Sequence, residues 1–199
     1  CIGKILAALD ERRLREKTVV FFAGDNGGTR SARNAPLSGI KGSTMEGGIR
    51  VPGIVRWPGV IPPGTTSDQV CATFDFSASI LRIAGAKVPE GRKLDGVDVL
   101  KLVAENRPPL KRTLFWRGRR GDQTWCAVRD GDLKYVRRTD QGRAEEHVFD
   151  LGRDVSEQND LLEKLPAEAA RLKGLLADWE KDVQPAIFRS TGLPARHLP

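Results

Sequence analysis

The sequence predicts an α/β fold that is followed by a small antiparallel sheet with a covering C-terminal helix. Three observations carry this prediction. The first part alternates helical and buried-strand patterns, the chain after Leu102 changes to short strands separated by turns, and the last segment has a helical apolar face. The Pro-rich stretch RPPLKR at 107–112 separates the two parts. We therefore predict a first domain over 1–106 and a second over 107–199.

The first domain is predicted from apolar spacing and from capping residues. Its elements are a helix over 2–16, a strand over 18–23, a short strand near 53–57 and a helix from about 76 to 84. The first helix is indicated by apolar residues at i, i+3, i+4 and i+7, which are Ile2, Ile5, Leu6 and Leu9. Asp75 suits the N-cap of the last helix, and Gly85 suits its end.

The second domain is predicted from alternating strands and one amphipathic helix. Candidate strands lie near 112–117, 124–129, 132–138 and 146–150. Asp130-Gly131-Asp132 is typical of a hairpin turn between two of them. The last helix begins near Pro166, a residue favoured in a first helical turn, and its apolar face is Leu172, Leu175, Leu176 and Trp179.

The charge of the chain is concentrated in the strand-rich part. The net charge is +7, and residues 107–143 hold eleven Lys or Arg against four Asp. These side chains lie on a solvated sheet face, on a surface for an anionic substrate or on a nucleic-acid surface, and the first reading is the commonest in antiparallel sheets. No run reaches the roughly 18 apolar residues of a transmembrane helix, so no membrane span is predicted.

Asp25 and Asn26 directly follow the apolar strand TVVFFAG. Ligands of open α/β sheets bind at the C-terminal ends of strands, which is where both side chains are expected. A carboxylate and an amide oxygen are hard donors that suit Ca²⁺ or Mg²⁺. The alternative is an ordinary turn, because Asp-Asn-Gly is a common turn sequence.

Lys41 stands between Gly39 and Gly42, where small neighbours allow its ammonium to approach an anion. The alternative is a solvated loop lysine, and the spacing does not match a nucleotide P-loop. Glu46 and Arg50 bracket a pair of glycines, and we predict that they form an ion pair supporting this loop. The histidines have no partners at metal spacing, so no role is assigned to His147 or His197.

Together these segments resemble the type I sulfatases of the alkaline-phosphatase-like superfamily. The resemblance is carried in order by FFAGDNGG, PLSGIKGSTMEGGIRVPGIVRWPGVIPPG, SDQVCATFDFSASILRIAGA, CAVRDGDLKYV and HVFDLGRDVSEQNDLLEKLP. It runs over almost the whole chain, and the Lys-Gly-x-x-x-Glu-Gly-Gly-x-Arg-x-Pro block is highly specific. The resemblance implies the C-terminal part of an α/β/α layered sulfatase domain followed by the C-terminal subdomain.

The resemblance also implies roles for individual residues. Asp25 and Asn26 match two ligands of the family's Ca²⁺ ion, which is Mg²⁺ in some members, and Lys41 matches the lysine that contacts the sulfate ester. It further implies a sulfuric ester hydrolase, commonly periplasmic, extracellular or lysosomal. The basic residues Arg117, Arg119 and Arg120 suggest a polyanion such as a sulfated polysaccharide as the substrate.

One part of the family's machinery is missing from the chain. The family nucleophile is a formylglycine made from Cys or Ser in Cys/Ser-x-Pro/Ala-x-Arg, and the sequences after Cys1, Cys71 and Cys126 do not fit that motif. The apolar periodicity also starts at the first residue without a cap, which favours a chain that begins inside a longer protein. We therefore expect these 199 residues to be inactive alone.

Two alternatives remain open at this point. A phosphoesterase or phosphonate hydrolase of the same superfamily shares the scaffold, although such relatives more often have Asp-His at the position of Asp25-Asn26. A non-catalytic relative would use the basic strands to bind sulfated glycans.

Overall fold

The structure, a computed structural model, describes residues 1–183, and these form two compact units. The first unit consists of Cys1–Gly27 and Arg50–Lys111, and the second of Gly28–Ile49 and the chain from Arg112. The loop over 28–49, which the predicted division assigns to the first domain, packs with the second unit. The domain division itself stays a prediction, and residues 184–199 of its second part lie outside the described range.

The first unit combines short helices with a two-stranded antiparallel sheet. Its elements are α1 (Ile2–Glu11), β1 (Val20–Ala23), β2 (Gly53–Arg56), α3 (Thr73–Ile83) and α4 (Val99–Ala104), with a 3₁₀ turn at Arg15–Lys17. Strands β1 and β2 pair from Val20 opposite Arg56 to Ala23 opposite Gly53. The predicted elements are therefore present, although the first helix ends earlier than 16 because a 3₁₀ turn replaces its last part. Helix α4 was not predicted.

The start of α3 corrects one sequence prediction. The helix begins at Thr73 with Ala72 at the N-cap, so the prediction of Asp75 as the N-cap was wrong. Asp75 lies in the first turn, is fully buried, and accepts hydrogen bonds from the N–H groups of Ala72 at 2.7 Å and Val97 at 2.9 Å. It thus caps the helix from the third helical position and also ties in the segment before α4. Gly85 ends the helix as predicted, with a φ of 64°.

The second unit is built on a four-stranded antiparallel meander, which confirms the predicted small sheet. The strands are β3 (Thr113–Arg120), β4 (Gln123–Asp130), β5 (Leu133–Asp140) and β6 (Arg143–Asp150), in that order. Each has eight residues, and two-residue turns connect them. The turn at Asp130-Gly131-Asp132 is confirmed, with Gly131 at a φ of 63° that favours glycine.

A C-terminal helix covers one face of this sheet, as predicted. Helix α5 (Pro166–Asp182) begins with proline and buries Leu172 and Leu176. These side chains pack with the sheet residues Cys126, Val128, Tyr135 and Val148. Alternate strand residues point to opposite faces, so Ala127, Val136 and Phe149 lie on the other face, where Met45 of the loop over 28–49 packs. The α5 face and the loop face of the sheet are named accordingly below.

Within residues 1–183, none of the helices is both long enough and apolar enough to cross a membrane. Only α5, among the helices of this range, exceeds eleven residues.

Candidate functional site

Asp25 and Asn26 lie in the first unit, in the bend that follows β1. The Asn26 side-chain amide donates a hydrogen bond to Asp25 Oδ1, which leaves the Asn26 amide oxygen available. Asp25 is exposed, and the chain enters the bend through Gly24, whose N–H donates to the carbonyl of Pro52 at 3.3 Å. Asp25 therefore presents carboxylate oxygen to the outside at the end of the strand, next to the half-buried Asn26.

These oxygens fit part of a Ca²⁺ or Mg²⁺ site. Both are hard donors, and the hydrogen bond between the side chains holds them next to each other. Within the part of the chain that the structure describes, no group of three or more His, Cys, Asp or Glu side chains is placed to bind a metal. Since Ca²⁺ takes roughly six to eight oxygen ligands, Asp25 and Asn26 would supply only a minority of such a coordination sphere.

Lys41 lies in the second unit, on a loop that Asn34 organises. The Asn34 amide donates to the carbonyls of Gly28 at 2.9 Å and Gly39 at 3.2 Å, and its oxygen accepts from Gly28 N–H. The Lys41 N–H also donates to the Gly28 carbonyl at 2.9 Å. The loop is therefore closed on itself, and the exposed Lys41 side chain stands on a fixed backbone. Sequence reasoning missed Asn34, since a single Asn in a turn-prone segment is unremarkable.

The glycines around Lys41 allow backbone conformations and close contacts that other residues would not. Gly39 and Gly42 have φ values of 80° and 92°, which side chains rarely allow. Gly47 and Gly48 lie so close to the loop that a Cβ atom would stand 2.4 Å from the Gly39 carbonyl oxygen and 2.3 Å from that of Ser43. The pair of glycines in α2 (Glu46–Ile49) therefore allows the lysine loop to pack directly on its backbone.

Glu46 anchors this loop to the sheet through a buried ionic cluster. Lys134 Nζ lies 2.8 Å from Glu46 Oε1 and 2.8 Å from Glu157 Oε1, and all three side chains are 4% exposed or less. Glu157 also accepts a hydrogen bond from the Glu46 N–H at 2.8 Å. Buried charges are costly unless paired, and here each carboxylate has the same ammonium as a partner. The supporting role of Glu46 thus has a definite partner, Lys134, which sequence reasoning did not identify.

Glu157 of this cluster has a shifted pKa, and burial is the main cause. Burial raises the pKa of Glu157 above its ordinary value of 4.5, while the charge of Lys134 opposes the shift.

Hydrogen bonds between uncharged groups also attach the loop to the segment around Glu157. Ser38 Oγ donates to the Ser156 carbonyl at 2.7 Å and accepts from the Gln158 amide at 3.0 Å. Arg50 is exposed and belongs to the first unit. Its predicted pairing with Glu46 stays a prediction.

A cavity of about 980 Å³ lies within the second unit, next to Lys41. The loop over 40–45 forms one wall, and the loop face of the sheet forms the other. Its charged lining residues are Arg30, Lys41, Arg119, Arg120, Arg138, Glu145, Glu157 and Asp160, together with His147. Glu157 is already paired with Lys134, and Asp160 accepts from His147 at 2.9 Å. The cavity therefore has an excess of positive charge.

The structure divides the basic residues of the strands between different environments. On the α5 face, Arg117 lies over the Trp179 ring at 5.9 Å, and Arg137 pairs with Glu180 at 2.9 Å. On the loop face, Lys134 is buried, whereas the Arg120 side chain makes no hydrogen bond or ion pair with any of residues 1–183. The basic residues of the strands therefore differ in environment, and these contacts do not decide between the solvated-face, anionic-surface and nucleic-acid alternatives.

Within residues 1–183, the cysteines and histidines form no second reactive cluster. Cys126 is buried, and burial together with Glu180 raises the pKa of its thiol. Cys1 and Cys71 are exposed. His147 is paired with Asp160, and His197 lies outside the described residues. The described part of the chain thus offers Lys41 and the two oxygen ligands as its candidates for chemistry.

Comparison with known proteins gives consistent matches. The family model described as Sulfatase matches residues 1–86. Steryl-sulfatase of Rattus norvegicus is 39% identical over 112 residues, which are 51% of this chain and 19% of that protein. N-acetylgalactosamine-6-sulfatase of Canis lupus familiaris is 36% identical over 139 residues, 67% of this chain and 26% of that protein. The chain thus spans about a quarter or less of these relatives.

Solved structures match over nearly the whole chain. The crystal structure of Ps i-CgsB in complex with k-i-k-neocarrahexaose has a TM-score of 0.85 and 29% identity, covering 96% of this chain and 42% of that one. Phosphonate monoester hydrolase of Agrobacterium radiobacter has a TM-score of 0.65 and 20% identity, covering 91% of this chain and 38% of that one. At that identity the second match shows the fold alone. The sequence and structure matches together show that this chain is type I sulfatase-like, with the fold of the alkaline-phosphatase-like superfamily.

Proposed function

We propose that the protein carrying this chain is a sulfuric ester hydrolase in which Lys41 contacts the sulfate ester. The observation that carries the proposal is the setting of Lys41 itself. Its backbone is fixed by Asn34 and by the buried Glu46–Lys134 pair, and its ammonium lines a cationic cavity without an ion pair to any of residues 1–183. The matches to named sulfatases support the same assignment.

Lys41 has the chemistry that sulfuryl transfer requires. Negative charge moves onto the leaving oxygen and the sulfuryl oxygens as the ester bond breaks, and a fixed ammonium stabilises that charge without reorganisation. The Glu46–Lys134–Glu157 cluster keeps the loop in place while this happens. We expect Lys41 to contribute more to the transition state than to binding of the ground state.

Asp25 and Asn26 are proposed as two ligands of a divalent cation, Ca²⁺ or Mg²⁺. Their adjacent hard oxygens suit such an ion, and the hydrogen bond from Asn26 to Asp25 holds the pair. A bound divalent cation supplies Lewis-acid polarisation of the sulfuryl oxygens. The other ligands would come from outside the described residues.

The nucleophile is proposed to lie outside this chain. A formylglycine is expected in a Cys/Ser-x-Pro/Ala-x-Arg motif, and none of Cys1, Cys71 and Cys126 begins such a motif. We therefore expect residues 1–199 alone to release no sulfate from an aryl sulfate, even with Ca²⁺ added. Metal-dependent turnover by the isolated chain would overturn this part of the proposal.

A sulfated polysaccharide is the proposed substrate class. Ps i-CgsB, the structural neighbour at 29% identity, was crystallised with an oligosaccharide, k-i-k-neocarrahexaose. N-acetylgalactosamine-6-sulfatase, a relative at 36% identity, is named for a sulfated sugar. The cationic cavity beside Lys41 suits such anionic chains.

The test compares three small substrates in the full-length protein: an aryl sulfate, an aryl phosphate and an aryl ester of a phosphonate. The proposal predicts the highest kcat/KM for the sulfate. A preference for the phosphonate would instead support the hydrolase alternative, whose fold matches this chain. Binding of sulfated glycans without turnover of any of the three would support the non-catalytic alternative.

A further inference from the structure

The cavity beside Lys41 is larger than a single sulfate group requires. Pockets that hold drug-sized ligands are roughly 300–1,000 Å³, and this one, at about 980 Å³, lies at the upper end of that range. Its lining continues from the lysine loop across the loop face of the sheet to Gly118, Arg120 and Trp125. All of these residues belong to the second unit. The cavity therefore has room for more of a substrate than its reacting ester.

Arg120 is the strongest candidate for a second anion contact. It ends β3 on the loop face, is exposed, and makes no hydrogen bond or ion pair with residues 1–183. Arg138 also lines the cavity, but its guanidinium already forms ion pairs with Asp140 at 3.4 Å and Glu145 at 3.8 Å. A guanidinium with five free donors binds sulfate or carboxylate oxygens in a bidentate manner. Arg120 is thus a guanidinium on the strand side of the cavity that an incoming anion meets without first breaking an ion pair within residues 1–183.

Trp125 gives the same surface a flat aromatic element. It stands opposite Gly118 across β3 and β4, and a Cβ atom on Gly118 would lie 3.6 Å from Cε3 of the indole. A Cβ at this position would make an ordinary van der Waals contact with the indole, so the ring lies close to the neighbouring strand. Trp125 is half-buried and lines the cavity, so part of the ring stays accessible. Aromatic rings of this kind offer a large rigid contact area to an amphipathic ligand such as a sugar ring.

We propose that Arg120 and Trp125 form a subsite for a second sugar residue of a multiply sulfated oligosaccharide. Arg120 receives an anionic group other than the ester at Lys41, and Trp125 packs against the sugar ring. The subsite rests on the proposed function only in one respect, the identity of the ester group that binds at Lys41. The subsite itself affects the affinity and specificity of the protein for longer substrates.

The chain supplies a matched control for Arg120. Arg117 lies on the same strand but belongs to the α5 face, where it contacts Trp179. Arg120→Gln and Arg117→Gln remove the same charge from the same strand. General loss of positive charge therefore affects both variants alike, whereas loss of a specific contact affects only the first.

The experiment uses the full-length protein and two probes, an aryl sulfate and a multiply sulfated carrageenan hexasaccharide. Steady-state kinetics gives KM and kcat, and calorimetry in the presence of a chelator gives Kd for the hexasaccharide. We expect Arg120→Gln to raise KM and Kd for the hexasaccharide roughly tenfold, the effect of one lost charge-assisted hydrogen bond. Both constants should stay near wild type in Arg117→Gln, and turnover of the aryl sulfate should be unchanged in both variants.

The outcomes separate this inference from the proposed function. Equal effects of the two substitutions on hexasaccharide affinity, or no effect of either, would overturn the subsite. An equal loss of aryl sulfate turnover in Arg120→Gln would also overturn it, because Arg120 would then act at the reacting ester. If the protein hydrolyses no sulfate ester but the hexasaccharide Kd still rises only in Arg120→Gln, the subsite is supported and the proposed function is wrong.

Discussion

Replacing Lys134 by methionine tests the buried ionic cluster that holds the lysine loop. Lys134 is fully buried, and its ammonium lies 2.8 Å from a carboxylate oxygen of Glu46 and 2.8 Å from one of Glu157. Methionine fills much of the same volume but removes the ammonium that both buried carboxylates contact. Removing one partner of a buried pair costs about 3–5 kcal/mol, so we expect a loss of that size in the free energy of unfolding at pH 8.

The pH dependence of that loss has a predicted sign. Burial already raises the pKa of Glu157, and loss of Lys134 raises it further. A carboxyl whose folded-state pKa is raised contributes stability that is present below its unfolded value near 4.5 and is lost as the pH rises through the folded pKa. The penalty of Lys134→Met should therefore be smaller at pH 5 than at pH 8.

The assay is urea unfolding of the full-length protein at both pH values, with Arg138→Met as the matched control. Arg138 lies on the same strand and the same face, but its pairs with Asp140 and Glu145 are exposed. Such surface pairs contribute about 0–1 kcal/mol. Equal losses of stability in the two variants at pH 8, or a loss in Lys134→Met that does not shrink at pH 5, would show that the buried cluster does not hold the loop in this way.

Three further predictions concern packing, capping and charge. Gly48→Ala should lower both the thermal midpoint and kcat/KM, because the new Cβ would lie 2.3 Å from the Ser43 carbonyl oxygen. Gly174→Ala is the control and should not destabilise the protein, because its Cβ meets open space on a helix. Asp75→Ala should lower the free energy of unfolding by about 2 kcal/mol, measured by urea titration, since two backbone N–H groups lose their acceptor. Asp160→Asn should lower the free energy of unfolding at pH 7 but not near pH 2. Despite burial, hydrogen bonds from backbone N–H groups hold the pKa of the Asp160 carboxyl below its ordinary value of 3.8. The stability that the ionised carboxyl contributes is therefore present above that value and is lost as the pH falls through the folded-state pKa.

The architecture of the second unit was largely predictable from the sequence. Alternating residues and Gly-containing turns determine where each strand begins and ends, and these signals are local. Pro166 and the apolar face of α5 are equally local signals. The start of α3 was misassigned because Asp is favoured both at the N-cap and at the third helical position, and only the contact of Asp75 with Val97 distinguishes the two.

The contact of Glu46 with Lys134 was out of reach because it depends on tertiary structure. Sequence reasoning predicted Arg50, four residues away, and that pairing stays a prediction, whereas Lys134 lies 88 residues along the chain. One signal was available: Lys134 stands on β5 with Val136, a buried apolar residue of the same face. A lysine at such a position needs a buried anion as its partner. The same limit applies to Arg120, since the sequence does not show which arginines of the strands are paired.

The action of Lys41 on a sulfate ester is tested by the turnover of its alanine variant. The kcat/KM of the full-length protein for an aryl sulfate is compared with that of Lys41→Ala, and Lys164→Ala, which changes an exposed lysine of the second unit, serves as the control. We expect a fall of roughly 100- to 1,000-fold for Lys41→Ala, the usual effect of removing one preorganised stabiliser of transition-state charge, and no change for Lys164→Ala. Near-wild-type turnover of the aryl sulfate by a folded Lys41→Ala variant would show that Lys41 does not have this role.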